Sequence, residues 1–490
     1  MSGDTAVLLS ILGALFAVVS FSAKVLALGV IPGNRRPATG VAWLLLIVLS
    51  PIIGLIVFGF LGSARVGRRR HREQLEINRR IAERTNALPH SDEELSPTVR
   101  SVVALNRELG AFPLVGDNHV LLVEGYDEQI AAMTAAVETA TDYVHVEFYI
   151  VAWDEVTTPF FDALVAATER GVSVRFLFDH VGSKRIAGYR DFLARLEETS
   201  IEWHPMLPIM PFKGRFRRPD LRNHRKLLVV DGRIGFTGSQ NLIEPSYHKP
   251  AHQRVGREWV ELIVRLEGRI VAELDAVFSS DWYFETQELL DVRPGPGAGE
   301  PVPGAVTGVS AQVVPSGPGF VTENNLRMFT TLLYSATERI SLTSPYFVPD
   351  ESLLYAVTTA AQRGVAVELF VSEQADQFMV GHAQASYYQA LLEAGVEIYL
   401  YPAPLVLHSK HFTIDDTVAV IGSSNMDMRS FALNYEISLM LLGPEIVAAT
   451  RRVEDHYREL SRRLTVEEWS GRPARTRYVD NVMRLTSALQ

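Results

Sequence analysis

The sequence predicts an α/β protein, made of two duplicated α/β lobes with mixed sheets, preceded by an N-terminal two-helix transmembrane hairpin. Three observations predict it. Two long apolar stretches lie within the first 64 residues. Strand-like and helix-like segments then alternate with short breaks, which is the pattern of α/β units on a mostly parallel sheet. That alternation is written twice. With 490 residues the chain also exceeds one ordinary hydrophobic core, so more than one folded unit is expected.

The N-terminal element comes first. Residues 5–23 carry no charge, Lys24 interrupts, and apolar character resumes to Ile31, while residues 37–64 are entirely uncharged. Each stretch can cross a bilayer as a helix, which takes roughly 20 residues. Lys24 falls near the end of the first span, where its long side chain can snorkel to the interface. A cleaved signal peptide would need a basic N-terminal region, and the charge preceding Lys24 is Asp4. Arg35 and Arg36 sit in the connection, whereas Arg65, Arg68, Arg69, Arg70 and Arg72 follow the second span. The heavier cluster stays inside, which places the rest of the chain in the cytoplasm. Residues 1–64 are thus read as the hairpin and 65–111 as a charged juxtamembrane linker.

The duplicated body follows, as lobes 112–292 and 312–490. "DYVHVEFYIV" (142–151) and "ERISLTSPYFV" (338–348) both read as buried strands, and each precedes a helical stretch ending in Arg-Gly. "VSVRFLF" (172–178) and "VAVELFV" (365–371) then have the β-branched character of strands. Residues 293–311, opening "RPGPGAGEPVPG", read as a linker from their Pro and Gly content.

Each lobe contains one further matched segment. The first holds His224, Lys226, Asp231, Gly238, Ser239 and Asn241; the second holds His408, Lys410, Asp415, Gly422, Ser423 and Asn425. Counted from the histidine, the other five fall at +2, +7, +14, +15 and +17 in both. His and Lys two apart on a strand share a face. Asp-Gly and Asp-Asp-Thr mark turns, so the next strand folds back and returns Ser and Asn toward the histidine. An imidazole, an ammonium, a hydroxyl and an amide on one face suit a phosphate group. Asp231 and Asp415, at the turns, hold the motif together rather than perform chemistry. A matched acid opens a later strand in each half, Glu258 and Glu436, 34 and 28 residues beyond the histidines. Such a carboxylate, bonded to Nδ1–H, would fix the imidazole tautomer.

The doubled His-x-Lys-x4-Asp with Gly-Ser-x-Asn resembles the phospholipase D superfamily over residues 112–490. "GSSNMDMRSFALNYE" (422–436), with the two N-terminal spans, is similar to bacterial cardiolipin synthases. The resemblance implies a two-lobed enzyme of the bacterial inner membrane, whose motifs meet in one site. It implies conversion of two phosphatidylglycerol molecules to cardiolipin and glycerol through a phosphatidyl-histidine. His224 would be the nucleophile and His408 the acid/base, with Lys226, Lys410, Asn241 and Asn425 on the phosphoryl oxygens and Ser239 and Ser423 also facing the phosphate. The sequence itself is close to symmetric between the two histidines. Hydrolysis by a phospholipase D, or a non-catalytic membrane scaffold, uses the same features, although a degenerate scaffold would be expected to lose a motif residue.

The remaining features bound the partners. A net charge of −10 opposes nucleic-acid binding. No cysteine is present, and lysine is a poor metal ligand, so neither a metal nor another cofactor is expected. The first lobe carries an extra segment, "HPMLPIMPFKGRFRRPDLR" (204–222), where apolar residues adjoin Lys213, Arg215, Arg217 and Arg218. That mixture suits an entrance for anionic membrane lipids. His145, His180, His204 and His411 have no counterpart in the other half and read as core or loop residues.

Overall fold

The computed structural model describes residues 3–33, 37–62, 68–85, 91, 94–210, 215–216, 218–292, 297–320 and 323–487. They fall into two units, Met1–Arg65 and Val66–Gln490. In the first, Gly3–Val30 is one helix of 28 residues. Its segment Ser10–Val30, 21 residues with a mean hydropathy of 2.2, is long and apolar enough to cross a membrane. The second apolar stretch, expected as one span, is instead two helices, Pro37–Leu49 and Pro51–Leu61. Pro51 is the cause. Its ring removes an N–H and drives the preceding residue out of the helical region, and Ser50 sits at φ −142°, ψ 83°. Ala27, Ile31 and Ile47 bury a small contact among these helices, beside Trp43 and Phe58 meeting edge-on at 5.3 Å. Leu15, Phe16, Phe21 and Leu26 stay exposed, an apolar surface that water does not favour.

The second unit is built on one sheet of fifteen strands. Its centre is the antiparallel pair Val115–Val123 and Val306–Ser316. Outward from Val115–Val123 run Ile263–Glu267, Ile234–Gly238, Leu227–Val230, Tyr143–Phe148, Ser173–Asp179 and Glu202–Met206. Outward from Val306–Ser316 run Glu436–Leu442, Val418–Gly422, His411–Ile414, Arg339–Thr343, Ala366–Ser372 and Glu397–Tyr401, with Arg462–Leu464 at the edge. The two lists correspond strand for strand. In each half three strands toward the outside are mutually parallel and the inner ones antiparallel, and Arg462–Leu464 adds an antiparallel edge to the second half, so the sheet is mixed. Helices such as Thr158–Glu169 and Glu351–Gln362 bury Phe160, Phe161 and Leu164, or Leu353, Ala356 and Val357, against it.

Two segments read as connections hold regular structure. The strand Val306–Ser316 begins inside the segment read as linker, and from Val309 onward its residues are buried in the central pair despite the nearby glycines. The segment 65–111 does more than connect. Its helix Pro97–Gly110 sends Val99 and Val102 into the core of the second half, beside Leu332 and Leu333. Asn106 Nδ2 donates to Gln312 Oε1 at 3.0 Å from the same helix.

Candidate active site

His224 and Lys226 lie in the segment entering the strand Leu227–Val230, and His408 and Lys410 in the one entering His411–Ile414. The partner strands return antiparallel, as the turn residues demand. Asp231 (φ 52°) and Asp415 (φ 47°) open the turns. The Asp231 carboxylate accepts from the N–H groups of Thr141, Asp142 and Tyr143 and from the Thr141 hydroxyl, at 2.8–2.9 Å. Asp415 does the same with Thr337, Glu338 and Arg339. Burial opposes their charge, but these N–H bonds hold both carboxyls below the usual range. Seven residues of extended chain, roughly 20 Å, separate each from its histidine. They tie the hairpin to the start of a neighbouring strand and do not touch the imidazoles.

The histidines are completed crosswise. His224 Nδ1 lies 3.2 Å from Glu436 Oε1, which belongs to the second half. His408 Nδ1 lies 2.7 Å from Glu261 Oε1, which belongs to the first. The backbone sets this up. His224 N donates to Tyr435 O at 2.9 Å and His408 N to Val260 O at 2.7 Å, so each histidine sits against the residue before the other half's glutamate. Val406–Leu407 also pairs in parallel with Trp259–Val260.

Glu258, the expected partner, is exposed and meets neither imidazole; Glu261 occupies the place. The misalignment has a physical origin. "EWVELIVRL" looks like one strand but is two, Trp259–Val260 on one partner and Ile263–Glu267 on another, with Glu261 at the break. A sequence signal could have found it. Glu261 precedes Gly268 by the same spacing as Glu436 precedes Gly443, and both glycines hold φ near 113–114° before a helix. Register agrees, since Ile263 faces Gly238 as Ser438 faces Gly422. Those motif glycines are required by close approach: a Cβ would stand 2.4 Å from Leu262 O at Gly238 and 2.2 Å from Ile437 O at Gly422.

The motif serines turn inward to this joint rather than toward an open phosphate site. Ser423 Oγ donates to Glu436 Oε2 at 2.5 Å and accepts from Ile437 N at 3.0 Å. Ser239 Oγ accepts from Leu262 N at 2.9 Å. They fix the peptide that follows each glutamate. Asn241 Oδ1 accepts from Ile150 N at 3.2 Å and its Nδ2 donates to the Tyr247 hydroxyl at 2.8 Å. Asn425 is buried, its Oδ1 without a protein partner. Each lysine ammonium donates to the carbonyl of its own histidine.

Charge knits the two motifs into one cluster. Burial alone would raise Glu436 and Glu261, yet the attached imidazole and the nearby lysine hold both below the carboxylate range. Burial pushes His408 down, against the pull of Glu261. Burial also lowers Lys226, and takes Lys410 down to about 7 against the pull of Glu261 and with the repulsion of Lys226. Two residues without a sequence signal surround His224. The Tyr149 ring packs on it with centroids 4.1 Å apart, and Asn434 Nδ2 lies 3.1 Å from Nδ1 and 3.3 Å from Glu436 Oε1.

The extra segment of the first lobe is only partly described. Residues 211–214 and Arg217 lie outside the described residues, as does the Arg215 side chain, although Arg215–Phe216 pairs with Ile209–Met210. Arg218 is largely buried and bonds Asp220 at 2.9 Å through Nε, so it is engaged within the protein rather than presented to lipid. His145 meets Asp275 at 2.7 Å and stacks on Phe278; His180 accepts from Ile209 N; His204 packs edge-on to Trp282. His411 is fully buried, which depresses it to about 3. All four lie in core or loop surroundings.

Residues 133–282 and 329–457 match the family described as "Cardiolipin synthase, PLD-like domain". The chain is 33% identical to Cardiolipin synthase A of Yersinia pseudotuberculosis serotype O:1b, covering 93% of this chain and 94% of that one. It is 32% identical to Cardiolipin synthase A of Pectobacterium carotovorum, with the same coverages. Phosphatidylserine synthase of Haemophilus influenzae Rd KW20 shares the fold, with a TM-score of 0.60 at 13% identity over 81% of this chain and 100% of that one. Fold and doubled motif thus define the class as phospholipase D-like. Within it, the chain belongs to the cardiolipin synthase family.

Proposed function

We propose that the chain is a membrane-anchored phosphatidyltransferase that converts two phosphatidylglycerol molecules into cardiolipin and glycerol. The observation that carries this is the crossed arrangement of His224 with Glu436 and His408 with Glu261, beside two buried lysines. With Nδ1 held by a carboxylate, each imidazole presents Nε2 to a substrate.

His224 Nε2 attacks the phosphorus of the first phosphatidylglycerol, and the bond from phosphorus to the headgroup glycerol breaks. Protonated His408 gives its proton to the departing glycerol oxygen. His408, now neutral, takes the proton from a headgroup hydroxyl of the second phosphatidylglycerol. That oxygen attacks phosphorus, the phosphorus–nitrogen bond breaks, and cardiolipin leaves. The 2.7 Å contact of His408 with Glu261, shorter than its counterpart, suits the imidazolium that the acid step needs. Lys226, Lys410, Asn241 and Asn425 offset the charge that builds on the phosphoryl oxygens.

The N-terminal helices anchor the enzyme as a hairpin, the second crossing being made by Pro37–Leu49 and Pro51–Leu61 together. The arginines after residue 65 keep the catalytic body on the cytoplasmic face. Purified protein with vesicles of phosphatidylglycerol should give cardiolipin and free glycerol, with phosphatidic acid a minor product by mass spectrometry. Dominant phosphatidic acid would make water the acceptor and overturn the transferase reading.

A further inference from the structure

The end of the sheet that carries the imidazoles also carries a mixed apolar and basic surface that neither hairpin uses. Residues 373–379 leave the C-terminal end of the parallel strand Ala366–Ser372 and open the helix Phe378–Ala394. Phe378 is 69% exposed and Met379 45%. Opposite, residues 249–257 of the first half precede the strand Trp259–Val260, and Val255 is 56% exposed. Arg257 Nη2 donates to Gln374 Oε1 at 3.1 Å, so segments from the two halves meet here.

The first-half segment connects to the site, and the second-half segment is braced beside it. Gln377 Nε2 donates to the Tyr346 hydroxyl, which donates to Asp376. Trp259–Val260 pairs with Val406–Leu407, the residues leading into His408, and Trp259 packs on Tyr247, which accepts from Asn241. The charge leans positive. Lys249 and Arg254 are exposed and Arg257 half-buried. Of the nearby acids, Glu373 is paired with Arg462, while Asp376, which accepts from the Tyr346 hydroxyl, and Glu258 stand against the three cations. Exposed Phe, Met and Val beside cations are poorly placed in water. They are well placed at a bilayer surface, where apolar side chains enter the acyl boundary and cations meet anionic headgroups.

We propose that residues 249–257 and 373–379 form a lip that seats the catalytic body on an anionic lipid surface. Val255, Phe378 and Met379 enter the acyl boundary, and Lys249, Arg254 and Arg257 rest among the phosphates. The lip is a membrane contact separate from the N-terminal helices, and it rests on the phosphatidyltransferase reading only for its purpose.

The cysteine-free chain makes the test direct. In the full-length protein, Val255→Cys, Met379→Cys and Glu169→Cys each accept one environment-sensitive fluorophore. Glu169 is exposed and ends the helix that feeds the N-terminal end of strand Ser173–Asp179, opposite the site. In phosphatidylglycerol vesicles with brominated acyl chains, labels at 255 and 379 should be quenched at least twofold more than the label at 169. The double variant Phe378→Ser, Met379→Ser should lose about tenfold in rate on vesicles at limiting lipid, with an unchanged unfolding temperature. Equal quenching at all three sites, or an undiminished rate in the double variant, overturns the lip. Quenching at 255 and 379 in a protein that makes no cardiolipin supports the lip and refutes the transferase reading instead.

Discussion

Replacing Glu261 by Gln keeps the side chain's shape and removes the charge that sits 2.7 Å from Nδ1 of His408. A hydrogen bond to a charged partner contributes about 1.5–3 kcal/mol, and more of that range survives where water is excluded. Here the side chains are 12% and 0% exposed, so about 2–3 kcal/mol is the relevant loss. At 1.36 kcal/mol per decade this slows the step that needs the His408 imidazolium about 30- to 150-fold. The direction in pH follows. Burial already holds His408 low and Glu261 counteracts it, so the variant's imidazolium is the stronger acid. The alkaline limb of the pH–rate profile, which reports loss of the acid's proton, should move to lower pH. Single-turnover release of glycerol from phosphatidylglycerol vesicles measures both effects. Glu258→Gln, exposed and away from either imidazole, is the control and should stay within twofold of wild type. Equal damage from the two variants, or a Glu261→Gln rate within twofold of wild type, would refute the crossed pairing.

His224→Ala and His408→Ala should each abolish transfer, because the two perform different steps of one cycle; near-normal turnover by either would show that the halves work independently. Gly422→Ala places a Cβ 2.2 Å from Ile437 O. It should cost about 1–3 kcal/mol, read as a lower unfolding temperature together with lost activity. Asp231→Asn should cost about 1–2 kcal/mol at pH 7, after a discount for its partial exposure. Its carboxyl is held below the unfolded value, so this stability is present above about pH 4 and is lost as pH falls through the folded pKa. The gap between wild type and variant in denaturant midpoint should close in acid. Turnover should persist after exhaustive chelation, since the two histidines supply both nucleophile and acid; a strict divalent-cation requirement would contradict the histidine route.

Much of the architecture was legible because it was repeated. Six matched positions marked the hairpins, and periodicity around residues 142–178 and 338–371 marked parallel strands and crossover helices. What escaped was non-local. The pairing of His408 with Glu261 depends on a strand exchange that no single-lobe pattern encodes. The break at Glu261 is hidden inside a stretch, residues 258–266, that reads as one strand. Ser239 and Ser423 share the motif spacing of phosphate ligands, yet a return strand passing within contact of the glutamate peptide captures their hydroxyls. Pro51 was visible, but hydropathy averaged over the stretch concealed its effect. The helix Pro97–Gly110 looked like a tether because its core-facing side is short, Val99 and Val102 being its buried valines.

The central pair of strands has a consequence for how the molecule must assemble. Each half supplies an edge, Val115–Val123 or Val306–Ser316, whose backbone groups are satisfied on one side by the other half. Until they meet, each half is a sheet with an open, apolar margin, which is the template for adhesion to any other extended chain. Joining them in one polypeptide makes the right partner the nearest one during synthesis, so the Pro/Gly connection works as a tether against mispairing.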